Sequence, residues 1–290
     1  MADQSGRRVV VTGANSGIGR AAAAELVRHG AEVTLAVRDE AKGREAASTM
    51  PGSVEVRRLD LADLSSVREF AEGWDGSLDV LIDNAGVMAT PQRRTVDGFE
   101  LQIGTNHLGH FALTNLLLPR LTDRVVAVSS GAHRMGKIDL EDLNWERRRY
   151  RAWGAYGQSK LANLLFVWEL QRRLDEVRSP LRALAAHPGY AATNLQTRTG
   201  NQLANAASQG LNRFVAQSAE DGALPTLLAA TEDLPGRTYV GPGGFMEMRG
   251  APKMVGRAAA ASDSDTARRL WGLSERLTGV SFPLGRGEAA

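Results

Sequence analysis

The chain of 290 residues contains no cysteine, and this absence excludes a disulfide framework, zinc held by thiolates and thiol catalysis. It also lacks any run near the ~18 apolar residues that a membrane span needs, and residues 1–8 form no apolar signal region. Neither sign of charge dominates, because 35 Lys and Arg face 33 Asp and Glu, which leaves a net charge of +2. We therefore expect a cytoplasmic protein with no membrane span and no nucleic-acid partner, despite a sequence pI of 9.1.

The residues that are present are typical of a globular α/β protein. Hydrophobic residues make up 43% of the chain and charged residues 23%, which is enough for a sizeable core and argues against disorder. Seven short apolar runs, mostly without polar alternation, are typical of strands that are covered on both faces. These predicted strands are residues 8–12, 32–37, 54–59, 80–83, 125–129, 181–187 and 237–240.

Longer amphipathic segments separate these strands. The predicted helices are residues 17–29, 40–50, 64–74, 99–121, 155–177, 218–231 and 264–278. The alternation predicts a Rossmann-type, doubly wound, mostly parallel seven-stranded sheet flanked by helices, in one domain over residues 1–290. Two long segments, residues 135–153 and 194–217, interrupt the alternation. Because long loops in compact domains are often functional, we expect residues 194–217 to form a substrate loop or lid.

A glycine-rich turn joins the first predicted strand to the first predicted helix. It reads Thr12-Gly13-Ala14-Asn15-Ser16-Gly17-Ile18-Gly19. Glycines let the backbone approach a pyrophosphate closely, and the free N–H groups of a helix N-terminus bind its negative charge. The turn therefore predicts a dinucleotide-binding site, and the alternative is a plain turn with Asn15 or Ser16 as a helix cap.

The end of the second predicted strand bears on the choice of cofactor. Folds that bind NAD place an acidic residue about 20 positions after the glycines, but here Val37 is followed by Arg38. A guanidinium can bind a 2′-phosphate with two hydrogen bonds and can stack on adenine. We therefore expect NADP(H) to be favoured over NAD(H). The alternative is that Arg38 is a solvated strand-end residue, and the neighbouring Asp39 could weaken its effect.

Tyr156 and Lys160 lie four residues apart in a predicted helix, so their side chains share one face. The chain has only four Tyr and four Lys, and chance would produce about 0.06 pairs with this spacing. An ammonium about 4 Å from a phenol supplies about 4 kcal/mol at an effective dielectric constant near 20. That energy would move a phenol pKa from about 10 to about 7, so we expect Lys160 to lower the pKa of Tyr156, and to lower it less without a bound cofactor.

Taken together, five motifs resemble those of the short-chain dehydrogenase/reductase family. They are the turn from Thr12 to Gly19, Asp83-Asn84-Ala85-Gly86, Ser130, Tyr156-x-x-x-Lys160 and Pro188-Gly189-x-x-x-Thr193. Their order and their places on the predicted elements match the family over nearly the whole chain. Three further stretches, residues 36–39, 83–88 and 106–111, are similar to the branch that contains retinol dehydrogenases and their bacterial relatives.

The resemblance implies a role for each matching residue. Tyr156 would be the general acid in reduction and the base in oxidation, Lys160 would lower its pKa and hold the nicotinamide ribose, and Ser130 would bind the substrate oxygen. Asn106 would anchor the water of a proton relay behind Lys160. Cofactor contacts are implied for Gly13, Asn15, Ser16, Gly17, Ile18, Gly19, Arg38, Asp60, Leu61, Asn84, Ala85, Gly86, Tyr156, Lys160, Pro188, Gly189 and Thr193.

Two positions depart from the family pattern. Asp83 replaces the Asn that is more usual before Asn84, and Ser16 stands where many NADP-dependent members have a basic residue, so the NADP prediction depends more on Arg38. Structural roles remain open for three residues. These are Asn106 at a helix distortion, Ser130 as a strand-end cap and Asp60 at a helix start.

His107 and His110 lie three residues apart in one predicted helix. Neither a nearby acidic residue nor a cysteine accompanies them, so we interpret both as helix-packing residues and predict no metal site.

From the resemblance we expect an NADP(H)-dependent oxidoreductase of the alcohol dehydrogenase or carbonyl reductase type. It would transfer hydride between the nicotinamide and a small, apolar carbonyl or alcohol substrate, and it would form a homodimer or homotetramer. One alternative is a C=C double-bond reductase, against which the lack of cysteine counts. The other is a catalytically silent NADP-binding sensor, against which Ser130, Tyr156 and Lys160 count.

Overall fold

Runs rich in valine and alanine form the central strands, since branched and small apolar side chains suit a pleated surface that is buried on both faces. The computed structural model describes residues 1–189 and 218–285. Its strands are β1 (Arg8–Thr12), β2 (Glu32–Val37), β3 (Val54–Arg58), β4 (Leu78–Asp83), β5 (Leu121–Val128), β6 (Arg182–Ala186), β7 (Tyr239–Pro242) and β8 (Pro252–Met254).

These strands form one sheet in the order β3-β2-β1-β4-β5-β6-β7-β8. All neighbours pair in parallel except β7 and β8, which are antiparallel. The doubly wound α/β fold is therefore confirmed, although the sheet has eight strands and not the predicted seven. Strand β8 has only three residues, too few to produce a recognisable pattern, and its place at the sheet edge depends on pairing with β7.

The helices cover both faces of the sheet. They are α1 (Gly17–Arg28), α2 (Glu40–Ala47), α3 (Leu64–Glu72), α4 (Leu101–Ile103), a π-helix (Gly104–Leu108), α5 (Gly109–Leu117), α6 (Ala152–Glu176), α7 (Ala219–Thr231) and α8 (Ser264–Thr278). Short 3₁₀ helices span Leu118–Arg120, Gly131–Met135, Phe245–Glu247 and Ala259–Ser262. The prediction of one helix over residues 99–121 is wrong in detail, because a π-helix interrupts it and Leu121 already begins β5.

Alternate side chains of each strand enter two separate cores. In β1, Val9 and Val11 pack towards α1, α2 and α7, whereas Val10 packs towards α3, α5, α6 and α8. The chain crosses from one side of β1 to the other before β4, so the carboxyl ends of β1 and β4 open a crevice between them. Ligands of doubly wound sheets bind at such a switch point.

Some sequence predictions fall outside the described residues, namely Thr193 and the expected lid at 194–217. Of the helices in residues 1–189 and 218–285, none has the length and apolar character that crossing a membrane requires. Over the same residues, no group of His, Asp and Glu side chains is arranged to hold a metal ion.

Candidate active site

The glycine-rich turn after β1 leaves no space for a side chain at Gly13 or at Gly19. Gly13 has a φ of +67°, and a Cβ added there would lie 2.9 Å from the Cβ of Ala85. A Cβ added at Gly19 would lie 2.3 Å from Asn84 Nδ2. Ser16 precedes α1 but its side chain makes no capping hydrogen bond, so the helix N-terminus is not closed by that residue. The cradle therefore fits the pyrophosphate of a dinucleotide better than a capped plain turn.

Thr12 joins this turn to the segment that follows β4. Its Oγ1 accepts hydrogen bonds from the backbone N–H groups of Asn84 and Ala85, both at 2.9 Å. In return, the Asn84 side-chain amide donates to the Thr12 carbonyl at 2.8 Å. The cofactor-contact residues predicted after β1 and after β4 thus form one hydrogen-bonded unit.

Asp83, which replaces the usual Asn, faces α5. Its carboxyl oxygen accepts a hydrogen bond of 2.9 Å from Thr114 on that helix. Burial raises the pKa of the Asp83 carboxyl well above its usual value, because desolvation disfavours the charged form. A protonated Asp83 would place no more charge in this interior than the usual Asn.

Arg38 is exposed directly after β2, and it makes neither an ion pair nor a hydrogen bond within the described parts of the chain. The neighbouring Asp39 carboxylate accepts a hydrogen bond of 3.1 Å from Lys42 N and caps α2, and this bond lowers its pKa. It also ion-pairs with Lys42 Nζ at 3.3 Å. Because Asp39 is engaged in this way, it does not neutralise Arg38, and the guanidinium remains available to a phosphate.

Asp60 and Leu61 follow β3 at the same edge of the sheet. The Asp60 carboxylate accepts a hydrogen bond of 3.0 Å from Ala62 N, so part of its role is to shape the turn before α3. The cap of α3 itself is Asp63, whose side chain accepts from Ser65 N at 2.9 Å. Leu61 is buried in the core, so only its backbone is suited to contact a cofactor.

Tyr156 and Lys160 lie on one face of α6, as their spacing predicts, and both are buried. The Lys160 Nζ lies 5.8 Å from the centre of the Tyr156 ring. It donates a hydrogen bond of 2.9 Å to the Val128 carbonyl at the end of β5. A Cβ added at Gly86 would lie 3.5 Å from this Nζ, so the segment after β4 meets the pair directly.

Burial disfavours the charged form of both groups. It raises the pKa of the Tyr156 phenol, and the hydrogen bond with Ser130 offsets only part of this effect. It lowers the pKa of Lys160 to about 8. The lowering of the phenol pKa that we expect from Lys160 is therefore outweighed by desolvation in the chain by itself.

Asn106 lies within the π-helix, and its side chain is fully engaged. The amide nitrogen donates to the Val87 carbonyl and to Ser159 Oγ, both at 2.9 Å, and Oδ1 accepts from Val87 N at 2.8 Å. The Ser159 hydroxyl donates in turn to the Tyr156 carbonyl at 2.8 Å. The side chain of Asn106 thus braces two segments, so the relay water that the resemblance implies would have to bind to the backbone carbonyl, which His110 Nδ1 also approaches at 3.1 Å.

Sequence reasoning missed Ser159 as a link between Asn106 and the tyrosine. The available signal was its place inside the Tyr156-x-x-x-Lys160 motif, three residues after Tyr156, where a serine hydroxyl can reach the carbonyl one turn back.

Ser130 has the capping role that the sequence left open. Its Oγ accepts a hydrogen bond of 3.2 Å from Ala132 N and caps the 3₁₀ helix. The same side chain acts on the Tyr156 phenol and lowers its pKa, against the larger effect of burial. Pro188 and Gly189 follow β6. Gly189 has a φ of +70°, and its N–H donates to His187 Nδ1 at 3.2 Å. The structure thus brings the predicted residues together at the carboxyl edge of the sheet.

Comparison with known proteins gives a consistent result. Residues 7–204 match the model of a family described as short chain dehydrogenase. The chain is 44% identical to retinol dehydrogenase 13 of Homo sapiens, over 96% of this chain and 86% of that protein. It is also 58% identical in sequence to a protein from Mycobacterium Paratuberculosis whose crystal structure is known. The two structures have a TM-score of 0.87 over 98% of this chain and 97% of that chain.

A Pseudomonas aeruginosa RhlG/NADP active-site complex shares the fold. Its identity is 23% and its TM-score 0.64, over 81% of this chain and 94% of that chain. The family match and the similarity to retinol dehydrogenase support a dehydrogenase or reductase, and the Pseudomonas aeruginosa complex adds the shared fold.

Proposed function

Because the chain belongs to the short-chain dehydrogenase/reductase family, we propose that it is an NADP(H)-dependent oxidoreductase acting on an apolar alcohol and its carbonyl compound. The observation that carries this proposal is the meeting of Tyr156, Lys160 and Gly86 at the carboxyl edge of the sheet. A buried phenol and a buried ammonium on one helix face are the groups that proton transfer to a carbonyl oxygen requires.

The proposed reaction assigns proton transfer to Tyr156. In reduction the phenol gives its proton to the substrate oxygen, and in oxidation the phenolate accepts a proton from the alcohol. Ser130, whose side chain acts on this phenol and lowers its pKa, orients the same oxygen. The nicotinamide supplies or accepts the hydride when the cofactor is bound.

Lys160 favours the phenolate form electrostatically. A positive charge close to a phenolate stabilises it, because the attraction is only partly screened in a protein interior. A pKa of about 8 leaves most of the lysine protonated at pH 7, so this charge is present. Its effect opposes the burial that raises the phenol pKa but does not overcome it in the chain by itself.

The preference for NADP(H) is assigned to Arg38. Its exposed guanidinium follows β2, where the adenosine ribose of a dinucleotide lies in folds of this type. Strand β2 ends at Val37, so no carboxylate at that position repels a 2′-phosphate, and the Asp39 carboxylate is bound at the N-terminus of α2.

The apolar substrate is supported by the surroundings of the phenol. Trp153 is 56% exposed, and its ring centre lies 6.0 Å from that of Tyr156, which places apolar surface beside the reacting group. The similarity to a retinol dehydrogenase points in the same direction. The cytoplasmic location and the homodimer or homotetramer remain predictions from the sequence.

The proposal is tested by incubating the protein and NADPH with a panel of apolar aldehydes and ketones, retinal among them, while nicotinamide absorbance is followed. We expect oxidation of NADPH with at least one carbonyl, and a rate at least about 10²-fold lower for Tyr156→Phe. Binding of NADPH without turnover on the whole panel would instead favour the sensor. A product that keeps its carbonyl and loses a C=C bond, identified by mass spectrometry, would favour the double-bond reductase.

A further inference from the structure

His110 lies on α5, one turn after Asn106, and both of its ring nitrogens have partners. Nδ1 is 3.1 Å from the backbone oxygen of Asn106, and Nε2 is 2.9 Å from Thr12 Oγ1. The ring is buried, and desolvation lowers its pKa to about 3, so it is neutral at ordinary pH. A backbone oxygen can only accept, and this fixes the proton on Nδ1 and leaves Nε2 as the acceptor of a proton from Thr12.

Thr12 extends this connection to the cofactor-binding segments. Its hydroxyl oxygen already accepts from Asn84 N and Ala85 N, both at 2.9 Å. The single hydroxyl proton is then used for His110 at 2.9 Å, in preference to the Ile82 carbonyl at 3.4 Å. An unbroken series of hydrogen bonds thus leads from the backbone after β4, through Thr12 and His110, to the carbonyl of Asn106.

We propose that His110 is a positioning residue that couples the cofactor-binding turns to the relay carbonyl of Asn106. This inference depends on the proposed function, because the relay has a purpose only where Tyr156 transfers protons. The imidazole holds the carbonyl in place from one side, since an oxygen with two lone pairs can accept a second hydrogen bond from water. It also keeps the Thr12 hydroxyl turned so that the hydroxyl oxygen faces the two N–H groups after β4.

The ionisable groups that act on the ring do not alter its state. Lys160 on α6 and His107 on the π-helix both disfavour a second proton on His110. His110 therefore orients its partners as a neutral ring and does not itself titrate in the working range.

His107 provides a matched control within the same helical segment. It is also buried, and desolvation lowers its pKa to about 4. Its Nε2 lies 3.0 Å from Ser274 Oγ on α8, away from Thr12 and from the Asn106 carbonyl. The same substitution at the two positions removes a similar buried ring, but only the one at His110 breaks the proposed connection.

The test compares His110→Leu with His107→Leu, and the first measurement is the NADPH dissociation constant from a fluorescence titration. We expect His110→Leu to raise this constant about tenfold, because two N–H groups of the cofactor wall lose their fixed acceptor. His107→Leu should stay within about twofold of the wild type, although both variants melt at lower temperature. His110→Gln, whose amide can donate and accept, should restore most of the affinity.

The second measurement is the pH profile of kcat with a substrate from the carbonyl panel. His110→Leu should lower kcat and shift the pH at which the proton-transfer limb of the profile has its midpoint. His107→Leu should leave this midpoint unchanged. Equal dissociation constants for the two Leu variants, or an unchanged pH profile for His110→Leu, would overturn the proposal. If His110→Leu does not fold, His110→Phe and His107→Phe, which keep a planar ring without nitrogens, replace the Leu pair.

If the wild-type protein shows no turnover, the proposed function is refuted, but the coupling through His110 is not refuted by that result alone. In that case the dissociation constants decide whether His110 holds the cofactor-binding segments, so the two failures are distinguishable.

Discussion

Buried cationic side chains have different kinds of partner at the two edges of the sheet. At the amino edge, Asp123 is shared by three guanidinium groups: it ion-pairs with Arg7, with Arg124 at 2.9 Å and with Arg182 at 2.6 Å. At the carboxyl edge, the Lys160 ammonium is as buried as Arg124, but its hydrogen bond goes to the neutral carbonyl of Val128. Within residues 1–189 and 218–285, no carboxylate forms an ion pair with Lys160.

This difference separates charges that hold the fold from a charge kept for chemistry. A buried cation with a carboxylate partner recovers much of its desolvation energy, whereas one without a partner is costly to the folded state. Strongly perturbed groups in a cleft are candidates for function for the same reason. Changes at the amino edge should therefore affect stability, and changes at the carboxyl edge should affect activity and cofactor binding.

The largest effect is expected for Lys160→Met. Loss of the electrostatic support for the phenolate should lower kcat by about 10²-fold, while the melting temperature stays equal or rises because a buried charge without a carboxylate partner is removed. Steady-state kinetics and thermal unfolding measure both. A variant that loses stability as much as activity would contradict the contrast between the two edges.

The opposite pattern is expected for Asp123→Ala. Removing the shared carboxylate leaves three guanidinium groups near one another, and the free energy of unfolding should fall by about 2 kcal/mol, since the site is only partly screened by solvent. Urea unfolding gives this value. The NADPH dissociation constant of the folded variant should equal that of the wild type, and a tenfold change would show that the edges are not independent.

A smaller effect, on the choice between NADPH and NADH, is expected from a substitution at the end of β2. Arg38→Ala should reduce the preference for NADPH over NADH by about tenfold, through weaker binding of NADPH alone, because the 2′-phosphate loses a charge-assisted hydrogen bond. Arg44→Ala, which removes an exposed guanidinium from α2, serves as the control. The idea fails if the two variants change the ratio of dissociation constants equally.

The smallest effect, counted per pH unit, is on the free energy of unfolding. The pKa of Lys160 is about 8 in the folded chain and about 10.5 when exposed, so between these values the unfolded state binds more protons. The stability of the wild type relative to Lys160→Met should therefore rise with pH in this window, by about 1 kcal/mol per pH unit, and stay level below pH 8. Urea unfolding of both proteins at several pH values measures the difference, and a fall with rising pH would reverse the sign of the argument.

Local motifs explain why so much of the site was visible in the sequence. The turn from Thr12 to Gly19 and the pair Tyr156 and Lys160 are defined by spacing along a single strand-to-helix turn or a single helix. Their geometry follows from backbone periodicity, and in the structure these residues lie where that periodicity predicts. The exposed Arg38 is similar, because its place depends only on where β2 ends.

Contacts between distant segments were not visible in the same way. Strand β8 exists through its pairing with β7, the π-helix interrupts a continuous apolar pattern, and no local pattern connects His110 to Thr12. His107 and His110 look alike as residues three apart in a helix, yet one bonds to α8 and the other to the turn after β1.

The sequence by itself determined the strand and helix alternation, the phosphate turn and the tyrosine and lysine face, because each depends on short-range geometry. The tertiary structure decided which buried groups have partners. Desolvation and hydrogen bonding act through space, so the raised pKa of Asp83, the lowered pKa of Lys160 and the link from His110 to Asn106 exist only once distant segments pack together.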